Sequence, residues 1–115
     1  MLRQINRFHG HGSLRYVYKK GMIIRGRQIS IKYTKNEKRK SSRLSVVVSK
    51  KVLKSAVGRN RIRRRIYEVL REQLPNFNNS YDCVVMVFSS EVLSLPHPEL
   101  KKILLEQLSS AQIIK

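Results

Sequence analysis

The stretch over residues 58–74 constrains this chain more than any other. Ile62, Ile66, Val69, Leu70 and Leu74 recur at three- and four-residue intervals, so at about 100° per residue they form one stripe of a helix. Through that stripe runs Arg59-Asn60-Arg61-Ile62-Arg63-Arg64-Arg65. A helix of this kind has to lie on the surface of a core, with its stripe inward and its arginines outward. Pro75 and the asparagine-rich residues 76–80 end it. The remaining segments must supply the layer that the stripe covers.

They do so with short, regular patterns. Ser13 can cap a helix over residues 14–20, where Leu14, Val17 and Tyr18 share a face and Gly21 stops the turn. Residues 28–34 alternate, with Ile29, Ile31 and Tyr33 on one side and Gln28, Ser30 and Lys32 on the other, as in a half-buried strand. Residues 35–42 form a charged turn. Residues 43–49 predict a second strand, with Leu44, Val46 and Val48 opposed to Ser45, Val47 and Ser49. Residues 50–57 are a basic connection into the arginine helix. Residues 81–88 form a buried strand, and Pro96 and Pro98 lead into a last helix over 99–110 with Leu100, Ile103, Leu104 and Leu108 on its stripe. The order is α-β-β-α-β-α, an α+β fold in which a central sheet is packed with helices. No repeat or linker divides the chain, so residues 1–115 are expected to form one domain.

Charge narrows the function. Twenty-five Lys and Arg stand against 7 Asp and Glu, a formal net charge of +18 on 115 residues. A compact domain carries self-repulsion at that imbalance, and a polyanionic partner accounts for it. Nucleic acid fits better than an anionic membrane, because the cations are spread over several elements and not gathered on one amphipathic helix. The longest apolar run, residues 84–88, is too short to span a bilayer, and the N-terminus has no apolar signal region. The lone Cys83 cannot form an internal disulfide, consistent with a reducing, cytoplasmic setting.

The arginine helix carries two different flanks. Asn60, Arg63, Arg64, Tyr67 and Arg71 lie beyond the Leu70/Leu74 edge of the stripe, where no carboxylate is expected. Guanidinium groups there can bind phosphate, and Tyr67 can stack. Arg61, Arg65, Glu68 and Glu72 lie on the opposite flank, where i,i+3 and i,i+4 pairing predicts a solvated, self-neutralised face. Arg59 falls near the apolar azimuth, but in the first turn, where it can project past the sheet edge. Lys50 and Lys51 stand beside the helix N-terminus, itself attractive to phosphate. Tyr18 is either a stacking platform or a core-edge residue.

Protein-borne catalysis finds no support. The carboxylates are scattered, and no pair suits divalent-metal hydrolysis. His9 and His11 are two ligands only, too few for a metal site. His97 reads as a loop residue between prolines, and Cys83 as a buried structural thiol. Gly10, Gly12, Gly21 and Gly26 have no phosphate-loop spacing and serve turns.

Ser49-Lys50-Lys51-Val52, followed by Ala56-Val57-Gly58-Arg59-Asn60-Arg61-Ile62-Arg63-Arg64, resembles the ribonuclease P protein family, whose signature is the Arg-Asn-Arg core. Leu14 to Gly21, Arg27-Gln28 and Tyr81-Asp82-Cys83-Val84-Val85 resemble it in the right order, so the likeness covers about residues 3–110. The resemblance implies a left-handed βαβ crossover, where handedness rules alone predict a right-handed one. It implies that a partner RNA subunit performs the cleavage with bound magnesium, no cofactor being held by the protein itself. It also implies that the protein binds that RNA through Arg59, Asn60, Arg61, Arg63 and Arg64, with no obligate protein partner. A cleft between the sheet and the first two helices would hold the 5′ leader of precursor tRNA, mapping onto Leu14, Tyr18 and Lys32. The family usually has Phe at Leu14, an aromatic at or near Lys32 and a basic residue near Tyr67, so this chain has less to stack with on its first helix. A structural RNA-binding protein, such as a small ribosomal protein, is the alternative. A DNA-binding module is weaker, because no helix-turn-helix spacing precedes the arginine helix.

Overall fold

The computed structural model describes residues 6–8 and 12–114. Helix α1 spans Gly12–Lys20, strand β1 Met22–Ile24, β2 Ile29–Lys35, β3 Arg43–Val48, helix α2 Ala56–Gln73, strand β4 Tyr81–Val87 and helix α3 His97–Ser110. Short 3-10 turns lie at Leu74–Asn76 and Ser90–Leu93. The four strands form one mixed sheet in the order β1-β2-β4-β3. β2 pairs antiparallel with both β1 and β4, whereas β3 and β4 run parallel and are joined through α2, the βαβ unit of the fold.

Strand alternation divides the sheet into two unlike faces. Ile29, Ile31 and Tyr33 of β2, Leu44, Val46 and Val48 of β3, and Cys83, Val85 and Val87 of β4 join one buried core. Ile62, Ile66, Val69 and Leu70 of α2 and Leu100, Leu104 and Leu108 of α3 close it from the helix side. The other face carries Ser30, Lys32 and Thr34, Asp82, Val84 and Met86, and Arg43, Ser45 and Val47. α1 lies against β2 and β4 on that second face. Its Val17 is fully buried, as expected from the helix pattern, and so is Val84; both lie outside the main core.

One strand and three helix starts differ from the sequence reading. β1 was not anticipated: it has three residues, none of them buried, so it offers no alternation to detect. α1 starts at Gly12, which puts Ser13 inside its first turn and not at its cap. α2 starts two residues early, because Ser55 is its N-cap and accepts the Gly58 N–H at 3.1 Å. α3 likewise begins at His97, which makes His97 a first-turn residue and not a loop residue.

β3 is an edge strand, and its open side is covered. Arg7 forms a parallel bridge with Leu44, the Asn6 side chain donates to the Ser42 carbonyl at 2.7 Å, and the Val46 N–H donates to the Tyr67 hydroxyl at 3.1 Å. These contacts occupy groups that would otherwise template pairing with another chain.

Candidate RNA interface

The site is assembled where β3 hands over to α2. The Ser49 carbonyl accepts from Val52 and Leu53 N–H at 3.1 and 3.2 Å, which turns the chain immediately after the strand. Leu53 then packs onto the first turn of α2. A Cβ at position 58 would stand 2.7 Å from Leu53 Cδ2, so Gly58 is what lets the loop approach the helix. Arg59 closes the same loop, its Nη1 donating to the carbonyls of Leu53 at 2.9 Å and Lys54 at 2.7 Å. Arg59 therefore holds the connection in place and does not simply project past the sheet.

This scaffold presents Lys50, Lys51, Arg61 and Arg64 to solvent. Among the described residues none of the four has a hydrogen-bond or ion-pair partner. Asn60 and Arg63 are coupled to each other, with Arg63 Nη1 donating to Asn60 Oδ1 at 2.6 Å. The first turn of α2 holds no carboxylate. Its unpaired N–H groups add to the positive field of these side chains.

The flank assignments are corrected in three places. Arg65 is not part of a solvated face: it donates to the backbone carbonyls of Val92 at 2.8 Å, Leu93 at 2.9 Å and Leu95, tying α2 to the segment after β4. Arg61, on the same flank, is exposed and has no carboxylate beside it among the described residues. Arg71 is not uncompensated, since it pairs with Glu68 at 2.9 Å and that contact holds the Glu68 carboxyl below its ordinary range. The two residues lie only a turn apart, close enough to meet across the boundary between flanks.

Tyr67 also stands apart from the free cations. Its ring packs on the core, and its hydroxyl is taken by Val46. Tyr18 and Lys32 lie on the other side of the sheet and are brought together. The Lys32 ammonium donates to the Tyr18 carbonyl at 2.7 Å and stands 5.7 Å from the centre of its ring. Tyr18 is 37% exposed, with partial burial raising its hydroxyl pKa, so it is both a core-edge residue and an available ring. Leu14 is half-buried on the same helix.

Asp82 is the residue that sequence reasoning passed over. It is buried and accepts from Arg43 Nε at 2.9 Å, Arg43 Nη2 at 2.6 Å and Asn36 Nδ2 at 3.0 Å. The Arg43 guanidinium also lies 5.1 Å from the centre of the Phe8 ring. Arg43, the first residue of β3, and Asp82, the second of β4, are register partners in two parallel strands. Opposite charges near the start of two apolar strands were the available signal. Other carboxylates are also engaged: Glu37 with Lys35 at 3.5 Å, Glu72 with Lys101 at 4.0 Å and Glu91 with Gln28 at 2.9 Å. No cluster of three or more metal-binding side chains occurs among the described residues, and His9 and His11 lie outside them. Cys83 is buried in β4, and desolvation pushes its thiol pKa far up, as expected of a structural thiol. No described helix is long and apolar enough to cross a membrane.

A small α+β domain with an unneutralised basic strip at the head of one helix, and a separate tyrosine–lysine pair on the other sheet face, belongs to the class of basic RNA-binding proteins. The ribonuclease P family model matches residues 2–112, and the chain belongs to the ribonuclease P protein family. It is 36% identical over 87 residues to the ribonuclease P protein component of Pseudanabaena sp., covering 76% of this chain and 75% of that one. The corresponding protein of Oceanobacillus iheyensis is 31% identical over 100 residues, 87% of this chain and 81% of the other. The fold matches the RNase P protein of Staphylococcus aureus with a TM-score of 0.83 at 24% identity, over 96% of this chain and 98% of that one. It matches that of Thermotoga maritima with a TM-score of 0.78 at 24% identity, over 89% of this chain and 94% of that one. The function is thus that of the ribonuclease P protein component, in tRNA processing, and the ribosomal alternative receives no support.

Proposed function

We propose that this chain acts as a single, cytoplasmic RNA-binding domain that assists a catalytic RNA and performs no bond cleavage itself. Its first partner is the RNA subunit of ribonuclease P, engaged by Lys50, Lys51, Arg61 and Arg64, with Asn60 and Arg63 beside them. The observation that carries this reading is the absence of any partner for those four cations among the described residues. A phosphate backbone supplies the missing charge and releases counterions on contact. Arg59 contributes by fixing the loop that carries Lys50 and Lys51.

Its second partner is the single-stranded 5′ leader of precursor tRNA, laid in the cleft between α1 and the sheet. Tyr18 supplies a ring for a base and Lys32 a charge for a phosphate, while half-buried Leu14 adds an apolar wall. Magnesium belongs to the RNA subunit in this reading. The protein's part is to bind and orient the leader beside a reacting centre that the RNA provides, and no obligate protein partner is required.

The test is reconstitution. The protein is mixed with a bacterial ribonuclease P RNA and a 5′-extended precursor tRNA at low magnesium. Cleavage at the mature 5′ end should be stimulated, and protein alone should leave the precursor intact. Tyr18→Ala should weaken precursor binding by about 1 kcal/mol, the lower end of base-stacking contributions, and leave mature tRNA binding unchanged. Cleavage by protein freed of all RNA would overturn the division of labour.

A further inference from the structure

Three strands finish in register at the end of the sheet from which the loop into α2 departs. Val87 of β4 is the partner of Ile29 on β2 and of Val48 on β3. One step farther out stand Gln28, Phe88 and Ser49, and the Phe88 N–H still donates to the Gln28 carbonyl at 2.8 Å. At the usual strand spacing, about 10 Å separates the backbones of Gln28 and Ser49, with Phe88 between them. Lys50 and Lys51 follow Ser49, and Arg27 precedes Gln28. The basic strip at the head of α2 therefore continues past β3, across the sheet end, to the turn between β1 and β2.

That turn is held firmly. The Gly26 N–H donates to Ser30 Oγ at 3.1 Å, and Gln107 Nε2 of α3 donates to the Ile29 carbonyl at 2.5 Å. A Cβ at position 26 would collide with both the Ile29 carbonyl and the Gln107 side chain, so only glycine lets the turn sit this close to β2 and α3. Arg25 and Arg27 flank it, both exposed and neither with a hydrogen-bond or ion-pair partner among the described residues. Phe88 is 55% exposed and joins neither the core nor an aromatic pair among the described residues. The carboxylate of Glu91, three residues on, accepts from Gln28 Nε2 at 2.9 Å.

We propose that the RNA-subunit interface extends across this end of the sheet, with Phe88 stacking on an unpaired base of that RNA and Arg25 and Arg27 holding phosphate on the side away from Lys50 and Lys51. An aromatic ring between two sets of unpaired cations matches a splayed-out base between the phosphates of its own strand. This extension rests on the RNA-subunit reading above. Lys32 lies four positions farther along β2 from Gln28, about 13 Å away, so the contact needs no leader.

The experiment measures the affinity of the whole chain for a bacterial ribonuclease P RNA, with no tRNA present, across a salt series. Phe88→Ala should weaken binding about fivefold to tenfold. Phe88→Tyr keeps the ring and should bind normally, whereas Phe88→Leu keeps only apolar bulk and should lose as much as alanine does. Arg27→Ala should lower the slope of log affinity against log salt by about one unit. Arg27 is exposed and unpaired, so its variant tests the surface even if Phe88→Ala lowers stability. If Lys51→Ala weakens binding while Phe88→Ala and Arg27→Ala do not, the interface ends at β3 and the extension is refuted. If none of the three weakens it, the RNA-subunit reading fails as well. Normal binding by Phe88→Leu would refute stacking. Losses that appear only with a precursor tRNA present would assign the surface to the substrate and overturn the proposal.

Discussion

Two sets of arginines share this small molecule, and they perform opposite tasks. Arg43, Arg59 and Arg65 are turned inward. Arg43 is buried against Asp82, Arg59 clips the loop before α2, and Arg65 gathers three carbonyls after β4. Arg61 and Arg64 are turned outward and have no partner among the described residues. Arg64 and Arg65 are adjacent in sequence, yet one is available to a ligand and the other is part of the fold. A high density of arginine is therefore not a measure of the binding surface. A guanidinium whose donors are met by protein oxygens cannot also meet a phosphate without releasing them.

The first set can be broken by truncation. Arg43→Ala leaves the Asp82 carboxylate buried with only Asn36 beside it, and the loss of one partner from a buried pair typically costs about 3–5 kcal/mol. Chemical denaturation should show that loss, with a lower midpoint and an unchanged slope. Arg65→Ala should cost less, about 1–3 kcal/mol, because the carbonyls it leaves are only partly buried and water can reach some of them. A stability unchanged by Arg65→Ala would return that residue to the solvated face expected from sequence. Tyr67→Phe should cost about 1 kcal/mol, since it strips the acceptor from the Val46 N–H on the sheet edge. That loss should appear in free protein and be independent of leader length. A leader-dependent effect without a change in stability would restore Tyr67 to the stacking role suggested by its helix position.

Much of the fold was legible because its signals are periodic. The stripe from Ile62 to Leu70 located α2 and its inward face, and alternation in β2 and β3 assigned every side chain to the correct face. β1 was missed because three half-exposed residues carry no period. The start of α2 was placed at Gly58 because residues 50–57 read as a basic connection and the Ser55 cap was passed over; Gly58 lies inside the first turn. Its lack of a side chain is what admits Leu53. Helical azimuth separated Arg64 from Arg65 but mistook the reason. The partners of Arg65 are backbone carbonyls about thirty residues onward, and no side-chain pattern marks a carbonyl. The Arg71–Glu68 pair shows the complementary error, since long side chains reach across the boundary that an azimuth draws. Tyr18 and Lys32 were placed by family resemblance alone, and the packing of α1 on the sheet is what brings them together.

The central contrast reduces to one comparison of neighbours. Affinity of the ribonuclease P RNA subunit for the unaltered protein, Arg64→Ala and Arg65→Ala should be measured across a salt series. Arg64→Ala should weaken binding and lower the slope of log affinity against log salt by about one unit, with stability unchanged. Arg65→Ala should leave the slope as it is. Equal slope changes for the two substitutions, or a change confined to Arg65→Ala, would contradict the division between arginines that hold the fold and arginines that hold the RNA.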